Sequence, residues 1–181
     1  MISFSRKKPI PEAAALAYAR VVEQARQPRL FTDYGVPDTL DGRFELICLF
    51  AFLYLHRLKS ERPHSAALSQ AFFDTLFADM DRSLRELGTG DLRVGREIRR
   101  MAEALYGRIR AYEAGLEGDD EALGAALARN LYGTVAPPPE GLGAIGRYLR
   151  LAAAALRHED AAELLLGRVR FAAVPPLEGA R

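Results

Sequence analysis

The sequence predicts an all-α fold, a single globular domain of six or seven helices. Apolar residues recur at spacings of three, four and seven along most of the 181 residues, which is the period of one helix face. Runs that alternate apolar and polar residues, which indicate strands, are scarce. The composition, 49% hydrophobic and 27% charged, is typical of a globular protein, and the chain is long enough to bury a core.

The first helix is predicted over residues 11–26, because Pro11 stands near its start, where a missing N–H does no harm. Residues 27–40 contain two prolines and a glycine and predict an irregular connection. Either Asp38 or Thr39 suits the N-cap of a second helix that ends near Ser60.

The second helix carries an uninterrupted apolar run over residues 46–55. A helix that is apolar nearly all round is usually the buried centre of a bundle. The alternative is that one of its faces is kept for a partner protein or a membrane. Ten residues are too few to cross the hydrocarbon core of a bilayer, which takes about twenty.

A third helix is predicted over residues 64–87, and a fourth over residues 94–116 with the clearest apolar period in the chain. Gly88 suits a left-handed C-cap between them, and Asp91 lies where a carboxylate favours the next helix N-terminus. The acids of this hairpin have arginines at helical neighbour spacing, Asp79 with Arg82 and Asp81 with Arg85, which predicts surface ion pairs.

Three further helices are predicted, over residues 119–131, 141–156 and 160–166. The predicted organisation is a flexible basic N-terminus over residues 1–8, a helical domain over 9–174 and a loose tail over 175–181.

The residues give little support for a metal site, a disulfide or a secretory route. The single cysteine, Cys48, lies inside the apolar run and is predicted to be a core residue. The three histidines are far apart and lack the spacing of metal ligands. No signal peptide opens the chain, so we expect a cytoplasmic protein. A peripheral position at the inner membrane is left as an alternative.

No enzyme motif emerges from the sequence. The run from Gly88 to Gly95 resembles a phosphate loop only superficially, because it lacks the preceding strand and the Lys-Ser/Thr pair. Asp79 and Asp81 point about 200° apart on a helix and cannot share a substrate atom. Ser83 has no histidine near it in sequence. We therefore predict no catalytic, cofactor-binding or metal-ligating residue.

One charged feature stands out, the arginine flank, which consists of Arg93, Arg96, Arg99 and Arg100. It is either an ordinary solvated face, tempered by Glu97, or a docking surface for anions. The candidate anions are phospholipid head groups, RNA phosphates or an acidic protein patch. The flank lacks the interleaved aromatic residues of a single-strand nucleic-acid site.

Three blocks in order, FADMDRSLRELG at 77–88, GDLRV at 90–94 and the segment 101–108 ending in YGR, resemble the ubiquinol–cytochrome c chaperone family. The flanking blocks 38–46 and 123–132 are similar to the same family. The motif residues, which we interpret as structural, are Asp79, Asp81, Arg82, Gly88, Asp91, Tyr106, Gly107 and Arg108.

The resemblance implies an assembly chaperone for ubiquinol–cytochrome c reductase that has no catalysis of its own. Its client would be newly made cytochrome b. The ribosome or an anionic membrane surface would be a further contact, and whether a small helical partner protein also binds is left open. We expect a stand-alone bacterial member without a transit peptide. The expected client-facing apolar residues are Phe50, Leu53, Phe73 and Phe77, and the alternative is a peripheral membrane- or RNA-binding module that uses residues 93–100.

Overall fold

The computed structural model describes residues 9–133, 135–138 and 140–177, so the basic segment 1–8 and residues 178–181 lie outside it. This described part of the chain is helical and contains no strand, as predicted. Its eight α-helices are α1 Ile10–Ala25, α2 Pro28–Thr32, α3 Leu40–Leu58, α4 Ala66–Glu86, α5 Asp91–Glu117, α6 Asp120–Asn130, α7 Gly141–Arg157 and α8 Ala161–Leu165.

Helix α3 forms the centre of the bundle and packs against α1, α5 and α7. Thr39, one of the two predicted caps, accepts a hydrogen bond from the Gly42 N–H at 3.1 Å. Every residue from Cys48 to Leu55 is buried, as the continuous apolar run predicted. The expectation that Phe50 and Leu53 face a client is therefore wrong. They are 0% and 1% exposed, because side chains from surrounding helices cover this part of α3 on all sides.

Helices α1 and α4 pack closely, since α1 presents the small buried side chains Ala13, Ala14 and Ala17. The Tyr18 ring of α1 meets the Phe72 ring of α4 edge to face, with centroids 6.0 Å apart. This contact holds α4 against α1, and α4 leads directly into the hairpin that follows.

Helices α4 and α5 form a hairpin around Gly88, which has φ +80° as the predicted left-handed C-cap requires. Arg85 binds both sides of the turn: its Nε donates to Asp81 at 2.6 Å, and it also pairs with Asp91. Asp91 is the first residue of α5 and not the residue before it, so α5 begins three residues earlier than predicted.

The short helix α2 was predicted as an irregular connection. Pro28 stands at its first position, where proline is favoured, and Leu30 is fully buried. Five residues are too few to show a helical period, so the sequence pattern gave no signal for it.

Arg150 of α7 ties the end of α5 to the start of α6. Its guanidinium donates to the carbonyl oxygens of Leu116 at 2.9 Å and Gly118 at 3.0 Å, and to Asp120 at 2.8 Å. Carbonyl groups at a helix C-terminus have no partner within the helix, so a cation placed there stabilises the end of α5.

The segment after α8 runs back along the bundle. The Ala172 carbonyl accepts hydrogen bonds from Gln24 and Tyr148, each at 2.9 Å. The Tyr34 hydroxyl donates to the Pro175 carbonyl at 3.1 Å, and Leu177 packs against the core. The predicted loose tail therefore does not begin at residue 175, because residues 175–177 contact the domain.

Candidate functional site

A groove of about 570 Å³ opens on the side of the bundle where α3 begins and α4 ends. Its walls are α3, α4 and the middle of α5, and the C-terminal ends of α1 and α6 close it. The α4–α5 turn joins two of these walls, and the Thr39 cap stands at the start of the third.

The floor of the groove is apolar. It is lined by partly buried side chains of α1, α3, α4 and α5, among them Val22, Phe44, Ile47, Leu84 and Met101. Two leucines, Leu40 and Leu87, stand at its rim and are 62% and 64% exposed. Large exposed leucines beside an apolar groove indicate a surface for a partner protein or a membrane.

A buried ion pair lies in the wall of the groove. Arg108 of α5 donates two hydrogen bonds to the Glu45 carboxylate of α3, and its guanidinium carbon lies 5.9 Å from the Phe44 ring centroid. Burial raises the pKa of the Glu45 carboxyl, and the hydrogen bonds from Arg108 oppose that shift. The bidentate pair fixes α5 against α3.

Asp79 contributes a second polar contact to the groove wall. Its carboxylate accepts a hydrogen bond from the Tyr18 hydroxyl at 2.8 Å and pairs with Arg82, as the helical spacing predicted. Burial and the Asp79 contact together raise the pKa of Tyr18 above its ordinary value. This carboxylate therefore serves as a structural acceptor.

The remaining charges at the groove are mostly arginines. Arg43 donates to Asp38 at 2.7 Å, and Arg100 donates to Glu97 at 2.9 Å. Arg26 and Arg129 are exposed and make no ion pair with any residue that the structure describes. Asp41 is exposed there too, so the groove is apolar at its floor and has a small excess of positive charge at its edge.

The structure gives a local contact to most of the motif residues. Asp79, Asp81, Arg82, Asp91 and Arg108 all take part in ion pairs, and Gly88 adopts a positive φ. Tyr106 is 50% exposed, and its ring centroid lies 5.4 Å from that of Phe73. Gly107 differs, because a Cβ added there would meet nothing within 4 Å.

Phe73 and Phe77 are partly buried and lie outside the lining of the groove. Their rings stack with centroids 6.4 Å apart and an interplanar angle of 8°, next to Tyr106. A contact between this aromatic cluster and a client remains a prediction.

All four residues of the arginine flank are exposed on the first turns of α5. Only Arg100 reaches the groove. The structure therefore brings together the groove and the Glu45–Arg108 pair, but it leaves most of the arginine flank on the neighbouring outer surface.

Sequence reasoning missed the groove and Glu45. A groove is formed by helices that are far apart in the chain, so no local period reveals it. One signal was available at Glu45, since it is a lone acid directly before the continuous apolar run of α3. An acid in that position needs a buried partner, although its spacing does not say which one.

A membrane-spanning helix and a metal site are two further features that the described residues could contain. None of the helices there is both long enough and apolar enough to cross a membrane. No group of three or more His, Cys, Asp or Glu side chains in that part of the chain is arranged to hold a metal ion.

Proteins that bind amphipathic helices hold them in apolar grooves, and this all-α domain has an apolar groove with arginines at its edge. The sequence model described as "Ubiquinol-cytochrome C chaperone" matches residues 32–171. The chain belongs to that family.

Relatives agree with this assignment. The ubiquinol-cytochrome-c reductase complex assembly factor 1 of Xenopus laevis is 28% identical over 154 residues, which are 85% of this chain and 77% of the frog protein. The mouse protein of that name is 26% identical over 94% of this chain, but the match spans only 58% of the mouse protein. The crystal structure of the Cbp3 homolog from Brucella abortus has a TM-score of 0.81 at 39% identity, over 94% of this chain and 95% of that one.

Proposed function

We propose that the chain is an assembly factor for ubiquinol–cytochrome c reductase and that its groove holds an apolar segment of newly made cytochrome b. Holding the segment is a binding role and involves no catalysis. The observation that carries the proposal is the pair of exposed leucines, Leu40 and Leu87, on the rim of an apolar groove in a member of this chaperone family.

The size of the groove suits the side chains of one helix face. Binding clefts have volumes of about 300–1,000 Å³, and the groove has about 570 Å³. An amphipathic or apolar helix would place side chains from one or two turns into this space and leave its remaining surface outside. The groove would thus shield part of the client while the rest folds or inserts.

The residues that line the floor allow some variation in the bound segment. Met80 and Met101 are unbranched and flexible, so they fit side chains of different shape. The exposed Arg26 and Arg129 at the edge suit an acidic or carbonyl group at the end of the bound helix.

The proposal is tested by deletion and complementation in the organism that encodes the chain. Loss of the gene is expected to lower the level of cytochrome b and quinol–cytochrome c electron transfer, while the transcript and unrelated respiratory enzymes stay normal. The wild-type gene should restore both.

A rim variant, L40D/L87D, should fold normally because both side chains are exposed, yet fail to restore cytochrome b. The matched control is L151D, which changes a leucine that is 57% exposed on α7, away from the groove. Normal cytochrome b in the deletion strain would refute the assembly role. Full complementation by the rim variant would refute the role of the groove.

A further inference from the structure

The end of the α4–α5 hairpin carries exposed leucines and arginines, which together we call the hairpin face: Leu87, Leu92, Arg93, Arg96 and Arg99. Leu92 is 98% exposed and Leu87 is 64% exposed, and the three arginines are exposed as well. Leu92, Arg96 and Arg99 follow one another at spacings of four and three, so they point the same way from α5.

The arginines of the hairpin face make no ion pair with the residues that the structure describes. Three of the nearby acids are already engaged. Arg85 pairs with Asp81 and Asp91, and Arg100 pairs with Glu97. The hairpin face therefore has three arginines without an ion pair in the described part of the chain, and the exposed acids nearby are Glu86 and Glu103, of which Glu103 continues the same row of α5 four residues after Arg99.

We propose that the hairpin face docks on an anionic phospholipid surface. The arginine guanidinium groups would bind the head-group phosphates, since basic side chains near a membrane surface are attracted to anionic lipids. Leu92 and Leu87 would enter the interfacial layer, which removes from water two large side chains that the fold leaves exposed. Interfacial membrane binding combines apolar side chains that enter the interface with arginines and lysines that are attracted to anionic lipids.

The same surface is less suited to RNA. Single-stranded RNA is bound by aromatic rings between the basic residues. The aromatic residue on this side of α5 is Tyr106, whose ring already lies against Phe73 at 5.4 Å. A fully exposed leucine contributes nothing to phosphate binding but is favourable in a lipid interface.

Docking in this way would bring the groove to the bilayer. Leu87 belongs to both the hairpin face and the rim of the groove, and the adjoining Arg100 lines the groove too. An apolar segment that emerges from the membrane surface would then meet the groove without crossing water. The membrane contact itself does not depend on which client the groove holds.

The test uses flotation of the purified chain with vesicles of phosphatidylglycerol and phosphatidylcholine, and with phosphatidylcholine alone. The wild-type chain should float only with the anionic vesicles at about 0.1 M salt and dissociate at about 1 M, where the screening length falls to about 3 Å. The variant R93E/R96E/R99E should lose at least tenfold in partitioning. Its melting temperature should stay within about 2 °C of wild type, because exposed charges contribute little to stability.

The matched control is R62E/R147E/R157E, which makes the same change in charge at three exposed arginines outside the hairpin. It should keep most of the binding, because its charges do not face the lipid.

Insertion of Leu92 is tested by fluorescence. The chain has no tryptophan, so L92W supplies a single reporter, and L151W supplies its control at another exposed leucine. Anionic vesicles should shift the emission of L92W to the blue and leave that of L151W unchanged.

The proposal is overturned if the wild-type chain does not float with anionic vesicles, if the control triple variant loses as much binding, or if L92W shows no shift. Binding to RNA that the hairpin substitutions abolish, with no binding to vesicles, would assign the hairpin face to nucleic acid instead. None of these outcomes depends on capture of cytochrome b.

Discussion

Glu45 and Arg108 join two segments that are 63 residues apart, and both belong to blocks that resemble the chaperone family. Glu45 is 8% exposed, so its charge depends on the arginine that faces it. Removing one partner of a buried pair is harmful because the other charge stays buried without compensation.

Arg108→Ala is expected to lower the free energy of unfolding by about 2–3 kcal/mol, slightly below the range for a fully buried pair, because Arg108 is 20% exposed. The double variant E45M/R108M should recover most of this loss, since apolar residues of similar size can replace a buried pair. Urea unfolding of the wild type and both variants measures the effect. Equal losses in the single and the double variants would show that packing, and not charge, is responsible.

The same variant has an expected pH dependence. Burial already raises the pKa of Glu45, and R108A removes the hydrogen bonds that oppose the shift. A carboxyl whose folded pKa lies above its unfolded pKa of about 4.3 binds its proton more readily in the folded state. The difference in free energy of unfolding between the wild type and R108A should therefore become smaller as pH falls from about 7 to about 5. A difference that grows on acidification would contradict this assignment.

Replacement by alanine should change the stability of the domain in opposite directions at two glycines of the motif regions. A Cβ at Gly42 would lie 2.0 Å from the Pro37 carbonyl oxygen, so G42A should destabilise the fold by about 2 kcal/mol or more. Gly107 lies within α5, and a Cβ added there would meet nothing within 4 Å. G107A should therefore stabilise the domain by about 0.5–1 kcal/mol. Thermal melts of the two variants check both signs, and a destabilised G107A would reveal a contact at residue 107 that the fold does not show.

At the scale of elements, most helices were predictable because each carries its own period or cap. The continuous apolar run predicted α3 as the buried centre, and Gly88 predicted the break between α4 and α5. The helix α2 was missed because it is too short to show a period. The client contact predicted for Phe50 and Leu53 was wrong. A helix that is apolar on all sides must be buried, but its sequence does not say whether other helices of the domain or a client cover it.

Arg150 provides an element-scale prediction, because one side chain satisfies the carbonyl groups where α5 ends. Arg150→Ala is expected to destabilise the domain by about 1–2 kcal/mol and to raise hydrogen exchange near residues 115–122. Arg147, which is exposed on the same helix, is the control, and R147A should change stability by less than about 0.5 kcal/mol. Similar losses of stability in R150A and R147A would show that Arg150 does not stabilise the end of α5.

At the scale of the whole molecule, the groove could not be predicted from the sequence. Its floor combines Val22, Phe44, Met80 and Met101 from four helices, and only the tertiary packing brings them together. The basic hairpin was visible in the sequence, because its arginines lie within one helix. Local patterns thus revealed the surface formed by one element but not the site formed by several.

The two proposed surfaces should differ in their response to salt. Binding of an apolar segment in the groove depends on removal of apolar surface from water, so capture of cytochrome b should persist at about 1 M salt. Vesicle binding through the hairpin face should be lost under the same conditions. Loss of both at high salt would show that charge, and not the apolar groove, holds the client.

The central claim, that the groove holds cytochrome b, is tested most directly by site-specific photocrosslinking in cells. A photoreactive residue is placed at Leu87 on the rim or at Leu151 on the far helix α7, and crosslinks to tagged cytochrome b are measured. If the groove holds cytochrome b, crosslinks should be strong from position 87, particularly while new cytochrome b is being made, and absent from position 151. Equal crosslinking from both positions, or none from position 87, would contradict it.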